Sequence, residues 1–359
     1  MSFQHFRGEK LYSDIVVRPE GNMCETEDVE CYPIPDRVPQ EGRSQGYYPD
    51  NTIAYIRVLW KDFEVERGVY NYKFVEDIIE EARAHSQSLI FRLMPHSTCA
   101  RDDVPEWLKG MIDCPERPDG KRVKDSPTDP LFIDLFCEAI EKLGERFDCD
   151  PTFDAIDICL PGAWGEGHKL ELYSDAQILK LFDTYLNSFK HTQLVSQCHR
   201  TEFLHYAKKR TNIGWRADGL GDPSLTNGRY VESIAQISDF WETAPVSFES
   251  YWWMSEWQRK CWPIDELINK TLEWHITSFN PKSIPIPYEW EPKVKYWLSK
   301  MGYHYSIDSF SYPDQANRGD EIETVLKVEN IGVAPSYHSI PLFVRLKGKA
   351  SLTIGPRSI

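Results

Sequence analysis

The chain has 359 residues, more than the roughly 250 at which one hydrophobic core usually stops growing unless the fold is an α/β barrel. Apolar residues make up 41% and charged residues 27%, and the aromatic share of 13% is typical of proteins with sugar-binding clefts. The formal charge of -15 excludes nucleic acid or an anionic membrane surface as the main partner, because both require a basic surface.

The sequence indicates a soluble chain that needs no metal and no cofactor. No apolar run is long enough to span a bilayer, and the opening MSFQHFRGEKLYSD lacks the apolar middle of a signal peptide, although an exported mature protein would look the same. The nine cysteines form no Cys-x-x-Cys pairs, which argues against a zinc site. Free thiols are expected, with Cys24–Cys31 and Cys99–Cys114 as alternative loop-closing pairs if the protein is exported.

After an irregular, acidic and Pro-rich stretch to about residue 50, apolar β-type runs alternate with amphipathic helical runs, which predicts parallel β-α-β units. The helical runs are 72–85, 130–147, 175–189, 201–210, 231–242 and 264–275. The predicted strands are 14–19, 52–60, 88–95, 154–160, 192–198, 212–218, 245–251 and 278–281. Eight such strands close a (β/α)8 TIM barrel. A doubly wound open sheet is the alternative, but no Gly-x-Gly-x-x-Gly turn follows an early strand.

The character of the sequence changes after residue 305. Residues 306–359 contain period-two alternation and turn residues without a helical face, which predicts a short β-rich accessory module after a catalytic barrel spanning 1–305. About fifty residues are few for a free-standing β-sandwich. The module therefore either packs on the barrel or belongs to a longer domain that is cut short.

Two glutamates stand at predicted strand ends among aromatic residues, where a TIM barrel carries its catalytic groups. Glu166 follows the fourth predicted strand, between Trp164 and His168, and Glu249 ends the seventh, just before Tyr251 and Trp252. The other strand ends supply further candidates for substrate binding, namely Arg57, Trp60, Arg92, His96, His199, Arg216, Asp218 and Asn280.

A pair of carboxyl groups facing each other across a barrel mouth is what glycoside hydrolysis requires. One carboxylic acid protonates the leaving oxygen, while a second carboxylate attacks the anomeric carbon or activates water. Trp164 and His168 are neighbours that favour a protonated Glu166, the general acid. An arginine such as Arg57, Arg92 or Arg216 beside Glu249 would keep that residue ionised. Asp218 with Glu249 is the alternative pair.

The segment 55–93 resembles the second strand and helix of clan A glycoside hydrolases of the β-galactosidase and cellulase type. It carries Trp60, Glu64, Gly68 and Tyr70 in the order of that clan's Trp and E-x-x-x-G-x-Y turn. The resemblance covers roughly residues 14–300 in the order of elements, and it extends to the C-terminal β-module. It implies a retaining double displacement on a β-linked oligo- or polysaccharide, with Glu166 as acid/base and Glu249 as nucleophile.

One position departs from the clan. The clan usually has Asn before its acid/base glutamate, where the amide holds the substrate's 2-hydroxyl, and this chain has Gly165. The alternatives are that His168, Asn280 or another polar group takes that hydroxyl, or that the site has a different geometry from the clan's. A carbohydrate-binding barrel without catalysis is the second hypothesis, and a lyase or isomerase barrel is the third. Trp164 and Trp252 are equally compatible with packing roles, and Arg57 and Arg92 with internal ion pairs.

Overall fold

The computed structural model describes residues 46–47, 49, 52–97, 103–114, 126–282, 286–317, 319–338, 341–347 and 351–358. Its centre is a sheet of seven strands, each parallel to its neighbours. The strands are β1 Ile53–Leu59, β2 Ser88–Met94, β3 Phe153–Asp157, β4 Leu194–Gln197, β5 Ile213–Leu220, β6 Val246–Ser250 and β7 Ser278–Asn280. They lie side by side in chain order without a reversal. A doubly wound sheet reverses its strand order, so that alternative is wrong.

Seven helices of seven or more residues accompany these strands within the described ranges. They are α1 Tyr72–Ala84, α2 Pro130–Phe147, α3 Asp175–Ser188, α4 Thr201–Lys208, α5 Tyr230–Gln236, α6 Ile264–Glu273 and α7 Glu291–Lys300. Their starts follow sequence signals: Asn71 and Asp129 cap α1 and α2, and Ser174 forms a reciprocal capping box with Gln177 at α3. One face of each helix is buried against the sheet, which places the core between the two layers.

The sheet is curled like the wall of a TIM barrel. Side chains from strands far apart in the sheet order meet in its interior, since Arg57 of β1 contacts Glu249 of β6 at 3.0 Å. Next to them, the Tyr55 hydroxyl of β1 donates to Asp157 of β3 at 2.5 Å. Such contacts need a sheet that bends round on itself. The predicted α/β fold of the TIM-barrel type is confirmed for these seven strands. The predicted strand 14–19 lies outside the described residues, so the eighth strand remains a prediction.

Short elements depart from the predicted ones near the strand ends. The predicted strand 52–60 ends one residue earlier, because Trp60 begins a short helix, Trp60–Phe63. The acidic turn that follows is a small antiparallel hairpin of Glu64–Glu66 with Val69–Tyr70. Further single turns and pairs are Leu108–Gly110, Ala163–Gly165, Leu170–Leu172, Leu225–Arg229, Phe240–Glu242, Met254–Arg259, Tyr288–Trp290 and the pair Gly46–Tyr47 with Ile286–Pro287.

The segment after α7 forms two antiparallel hairpins, Tyr305–Ser311 with Val325–Asn330 and Pro341–Lys347 with Ser351–Ser358. Contacts with the barrel helices come from the stretch between the hairpins, where Val333 accepts a bond from His275 and Tyr337 donates to the Trp241 carbonyl at 2.7 Å. The boundary at residue 305 between two domains remains a prediction. No helix in the described ranges has the length and apolarity needed to cross a membrane.

Candidate active site

The turn after β3 has a backbone that only certain residues can adopt. Gly162 and Gly165 have φ values of 111° and 76°, in the left-handed region that favours glycine. A Cβ at Gly165 would lie 2.0 Å from the Cys159 Sγ atom. Position 165 therefore has no room for the Asn that the clan resemblance leads one to expect. Trp164 adopts φ 57° between these glycines, and its carbonyl accepts a bond of 2.6 Å from Arg92.

A layer of buried charges forms the floor of the site. Asp157 at the end of β3 accepts two hydrogen bonds from Arg92, at 2.6 and 3.0 Å, and one from Tyr55. The Nε atom of Arg216 lies 3.3 Å from the same carboxylate, and its Nη2 atom donates to Glu249. Asp157 and Glu249 are thus joined through one guanidinium group inside the barrel. Such a network fixes both carboxylates in position because each removal strands a buried charge.

Glu249 is held in its ionised form by three cations. Its side chain is only 3% exposed, and it contacts Arg57 at 3.0 Å, Arg216, and Lys282 at 2.9 Å. Burial alone would raise the pKa of Glu249, but Lys282, Arg57 and Arg216 outweigh burial and lower it well below its usual range. Glu249 therefore carries a negative charge throughout the neutral and mildly acidic range.

Glu166 is placed under the opposite influence. Burial raises its pKa, and the nearby negative charge of Asp218 raises it further, while His168, at 3.7 Å, and the positive charge of Arg57 lower it less. Its Oε1 atom lies 3.9 Å from Nη2 of Arg57, the same nitrogen that contacts Glu249 at 3.0 Å. Because both carboxylates approach one nitrogen, their nearest oxygens can be no farther apart than these two distances combined, about 7 Å.

A cavity of about 450 Å³ opens above this floor at the carboxyl ends of the strands. Eight of the residues predicted for the site line it: Arg57, Trp164, Glu166, His168, His199, Asp218, Tyr251 and Trp252. Tyr251, Trp252 and the adjoining Trp253 form a run of edge-on ring contacts with centroids 5.6 and 5.7 Å apart along one wall. The cavity therefore combines carboxylates with flat apolar faces, the two features that a sugar site requires.

Asp218 faces the cavity from β5. Its two carboxylate oxygens accept bonds from Gln197 at 2.7 Å and from Tyr230 at 3.1 Å. Burial would raise its pKa, but Arg216 and His199 outweigh it and lower the value below the usual one. Asp218 is therefore a second ionised carboxylate, and it is more directly in contact with the cavity than Glu249 is.

Two predicted contact residues lie in the core instead of the cavity lining. Trp60 is fully buried, donates to Glu64 at 2.7 Å and packs edge-on against Trp107. His96 is fully buried between the Ser97 carbonyl and the Ser126 hydroxyl. Both side chains support the backbone near the site, and the prediction that they touch substrate is corrected on that ground.

Arg92, Arg216 and Asn280 are also outside the lining. The two arginines belong to the charged floor, so the alternative of an internal ion pair holds for Arg92. Asn280 is buried at the end of β7, and its side-chain oxygen accepts the Lys282 backbone N–H at 2.8 Å. Asn280 therefore shapes the turn that directs Lys282 toward Glu249, while its carboxamide oxygen is already engaged.

Several cavity residues are absent from the prediction. Each lies two to twelve residues beyond the end of a strand, and all but the tyrosine are cationic: Lys169, Arg200, Arg229, Tyr230 and Lys282. Arg200 directly follows His199, and His199 is predicted from the sequence because it lies at a strand end. Arg229 ends a π-helical turn, Leu225–Arg229, and no local sequence pattern announces that geometry.

One group of three metal-binding side chain types occurs among the described residues, formed by Asp148, Cys149 and His191. It lies where α2 ends and before β4 begins, away from the cavity. The Asp148 carboxylate accepts backbone bonds from Lys190, His191 and Thr192. Its oxygens hold this connection in place, so the group has a structural explanation.

These features define the protein as an α/β barrel with a polar, aromatic cavity at the carboxyl ends of its strands. No family model matches the chain, and no curated protein matches it in sequence. Solved structures similar to it are clan A glycoside hydrolases.

Endo-glycoceramidase II from Rhodococcus sp., solved as a lactosyl-enzyme intermediate, is 12% identical with a TM-score of 0.45, covering 77% of this chain and 73% of that one. Native xylanase 10B from Thermotoga maritima is 12% identical with a TM-score of 0.45, covering 81% and 86%. Pseudomonas stutzeri endoglucanase Cel5A is 9% identical with a TM-score of 0.42, covering 69% and 81%.

Proposed function

We propose that this protein is a glycoside hydrolase that cleaves a β-linked oligo- or polysaccharide by a retaining mechanism. Glu166 acts as general acid and base, and Glu249 acts as nucleophile. One observation carries the proposal: the two carboxyl groups approach the same Arg57 nitrogen, and their surroundings shift their pKa values in opposite directions. A proton donor beside a permanently ionised carboxylate is the arrangement that glycoside cleavage uses.

The chemistry proceeds in two displacements. Protonated Glu166 gives its proton to the glycosidic oxygen as the bond to the anomeric carbon breaks, and a Glu249 oxygen forms an ester with that carbon. Ionised Glu166 then takes a proton from water, whose oxygen attacks the anomeric carbon and releases Glu249 as a carboxylate. Arg57 contacts both carboxyl groups, so it stabilises whichever of the two is charged.

Lys282 covers Glu249 on the cavity side. Among the three cations around Glu249, it has the most exposed side chain, at 21%, against 4% for Arg57 and 2% for Arg216. Attack on an anomeric carbon needs one free Glu249 oxygen. Lys282 is therefore the partner that moves aside when substrate binds, which leaves the two arginines to hold the carboxylate.

The aromatic wall would hold the sugar rings. Tyr251, Trp252 and Trp253 line the cavity next to Glu249 in sequence, and flat apolar rings stack on the C–H faces of sugars. His168, 3.7 Å from Glu166, is the polar group best placed to meet a ring hydroxyl, because Gly165 has no side chain. Such a site would take part in the breakdown of polysaccharides.

The test compares Glu166→Gln and Glu249→Gln with the wild type on aryl β-glycosides and β-linked polysaccharides, with Glu145→Gln on the surface as the matched control. Glu249→Gln should lose about 10⁴-fold or more in kcat on every substrate. Glu166→Gln should lose about 10²- to 10⁴-fold on nitrophenyl glycosides and much less on dinitrophenyl glycosides, whose leaving group needs no proton.

The stereochemistry of the product provides an independent test. Proton NMR of the first-formed sugar should show the β anomer, whereas the α anomer would mean an inverting mechanism. The bound of about 7 Å on the carboxylate separation covers the retaining distance and the lower end of the inverting one. If Glu249→Gln keeps its activity and Asp218→Asn loses it, Asp218 replaces Glu249 in the mechanism.

A carbohydrate-binding barrel without catalysis is the second candidate function. The observation in its favour is that Glu249 is 3% exposed and engaged by three cations, which lowers the nucleophilicity of a carboxylate. Binding of a sugar by the wild type with no cleavage of any substrate in the panel would select this function over hydrolysis.

A further inference from the structure

The charge of the cavity differs in sign from the charge of the whole chain. The protein carries -15, yet among the described residues the cationic side chains of the cavity and its floor outnumber the carboxylates there by seven to five. The cations are Arg57, Arg92, Lys169, Arg200, Arg216, Arg229 and Lys282, and the carboxylates are Asp157, Glu166, Glu171, Asp218 and Glu249. A raised pKa for Glu166 makes this local excess larger. A neutral sugar requires no such excess.

Two of these cations, Arg200 and Arg229, form one corner of the cavity together with His199. His199 and Arg200 follow β4, and Arg229 ends the π-helical turn that precedes α5. All three line the cavity. Burial, together with the positive charges of Arg229 and Arg200, lowers the pKa of His199 to about 4, although Asp218 opposes this. The imidazole is therefore neutral near pH 7, and it offers an N–H donor near the two guanidinium groups.

The guanidinium groups of this corner retain hydrogen-bonding capacity. Arg229 is exposed, and its guanidinium group makes no hydrogen bond and no ion pair with any residue that the structure describes. Arg200 pairs through Nη2 with Glu202 at 2.7 Å, but its Nε atom is buried and has no hydrogen-bond partner among the described residues. Asp218, a carboxylate of the same cavity, is already engaged by Gln197 and Tyr230. The buried Nε donor of Arg200 is costly without a partner, and a ligand oxygen would relieve that cost.

We propose that this corner binds an anionic substituent of the sugar, a carboxylate or an ester of sulfate or phosphate, so that the substrate is an acidic saccharide. The proposal rests on the proposed function in that the ligand is a carbohydrate. Planar guanidinium groups match the oxygen spacing of carboxylates and oxyanions, and two of them with a neutral imidazole donor surround one anionic group. The neutral aromatic wall would hold the ring that carries it.

The experiment compares matched neutral and acidic ligands. Hydrolysis of nitrophenyl β-glucoside, β-glucuronide and 6-sulfated β-glucoside is measured for the wild type, Arg229→Gln, Arg200→Gln and the surface control Arg210→Gln. We expect the wild type to prefer one of the acidic substrates in kcat/KM. The two cavity variants should lose about 10- to 100-fold on it and less than about 2-fold on the glucoside. The preferred acid separates carboxylate from sulfate recognition.

Binding measured by calorimetry tests the inference independently of hydrolysis. Oligoglucuronate and the corresponding neutral oligosaccharide are titrated into the wild type and Arg229→Gln at low and high salt. Salt-sensitive binding of the acidic ligand that Arg229→Gln abolishes supports the corner even if no substrate is cleaved, in which case only the hydrolase proposal fails. Equal losses on neutral and acidic ligands, a preference for the neutral one, or no binding of either overturns it.

Discussion

The turn that carries Glu166 leads to a prediction about Gly165. Replacing it with Ala introduces two costs. The first is a left-handed backbone at φ 76° for a residue with a Cβ, worth about 1–2 kcal/mol. The second is the overlap of that Cβ with the Cys159 Sγ atom, at 2.0 Å, worth about 1–3 kcal/mol where the surroundings cannot relax. Gly165→Ala should thus lower the free energy of unfolding by about 2–5 kcal/mol.

Gly68 provides a control that separates the two costs. Its φ of 78° is nearly the same, and nothing lies within 4 Å of the Cβ that a substitution would add. Gly68→Ala should therefore show the backbone cost alone, about 1–2 kcal/mol. Urea unfolding followed by tryptophan fluorescence compares the two variants. Equal midpoints for Gly68→Ala and Gly165→Ala would refute the overlap with Cys159.

A second variant tests the identity of the obstructing atom. Cys159→Ala removes Sγ, so the double variant of Cys159→Ala with Gly165→Ala should be more stable than the sum of the single effects predicts, by about 1–3 kcal/mol. Additive effects would mean that another group obstructs position 165. The single variant Cys159→Ala is also the background in which Gly165→Asn has the best chance to fold, because the space that its Cβ needs is then free.

Three further predictions concern the charged groups. Compared with the wild type at the same pH, Glu166→Gln should be more stable at pH 7 than at pH 4. A carboxyl whose folded pKa is raised contributes stability below its unfolded pKa and loses that stability as pH rises, and the variant lacks this loss. A urea midpoint for the variant that tracks the wild type across this range would contradict the raised pKa of Glu166. Lys282→Met removes the strongest charge that lowers the pKa of Glu249, so the acidic limb of the plot of kcat/KM against pH should move to higher pH. An unmoved limb would mean that Glu249 does not control it. Asp157→Asn leaves buried Arg92 without its carboxylate partner and should lower the free energy of unfolding, measured in urea, by about 3–5 kcal/mol. A loss below about 1 kcal/mol would mean that the charged floor around Asp157 is hydrated.

The sequence predicts the barrel well because its strands are short apolar runs separated by helices. β1 and β2 read IAYIRVL and SLIFRLM, patterns that are continuous because both faces of a parallel sheet are covered. Each described barrel strand begins within two residues of its prediction. The fourth predicted strand is the least accurate at its end, because regular pairing stops at Asp157 and the turn toward Glu166 starts earlier.

The site is predicted only in part. The rule of strand ends selects Glu166, Asp218 and the aromatic residues after β6 because these residues lie where the chain leaves the sheet. It also selects Trp60 and His96, whose side chains turn into the core, since a strand-end position does not fix the direction of a side chain. Lys282 and Arg229 escape the rule, because their approach to the cavity depends on a tight turn and a π-helical turn.

The charged floor and the cavity rim should change at different rates during evolution. Rim residues such as His168, Arg200, Arg229 and Tyr251 come from separate segments beyond different strands, so a mutation in one loop alters one contact and leaves the rest in place. The Asp157 floor joins several strands through shared charges, where a single replacement harms every partner. Descendants of this chain can therefore exchange one ligand for another by small independent steps at the rim, while the floor is inherited as a block.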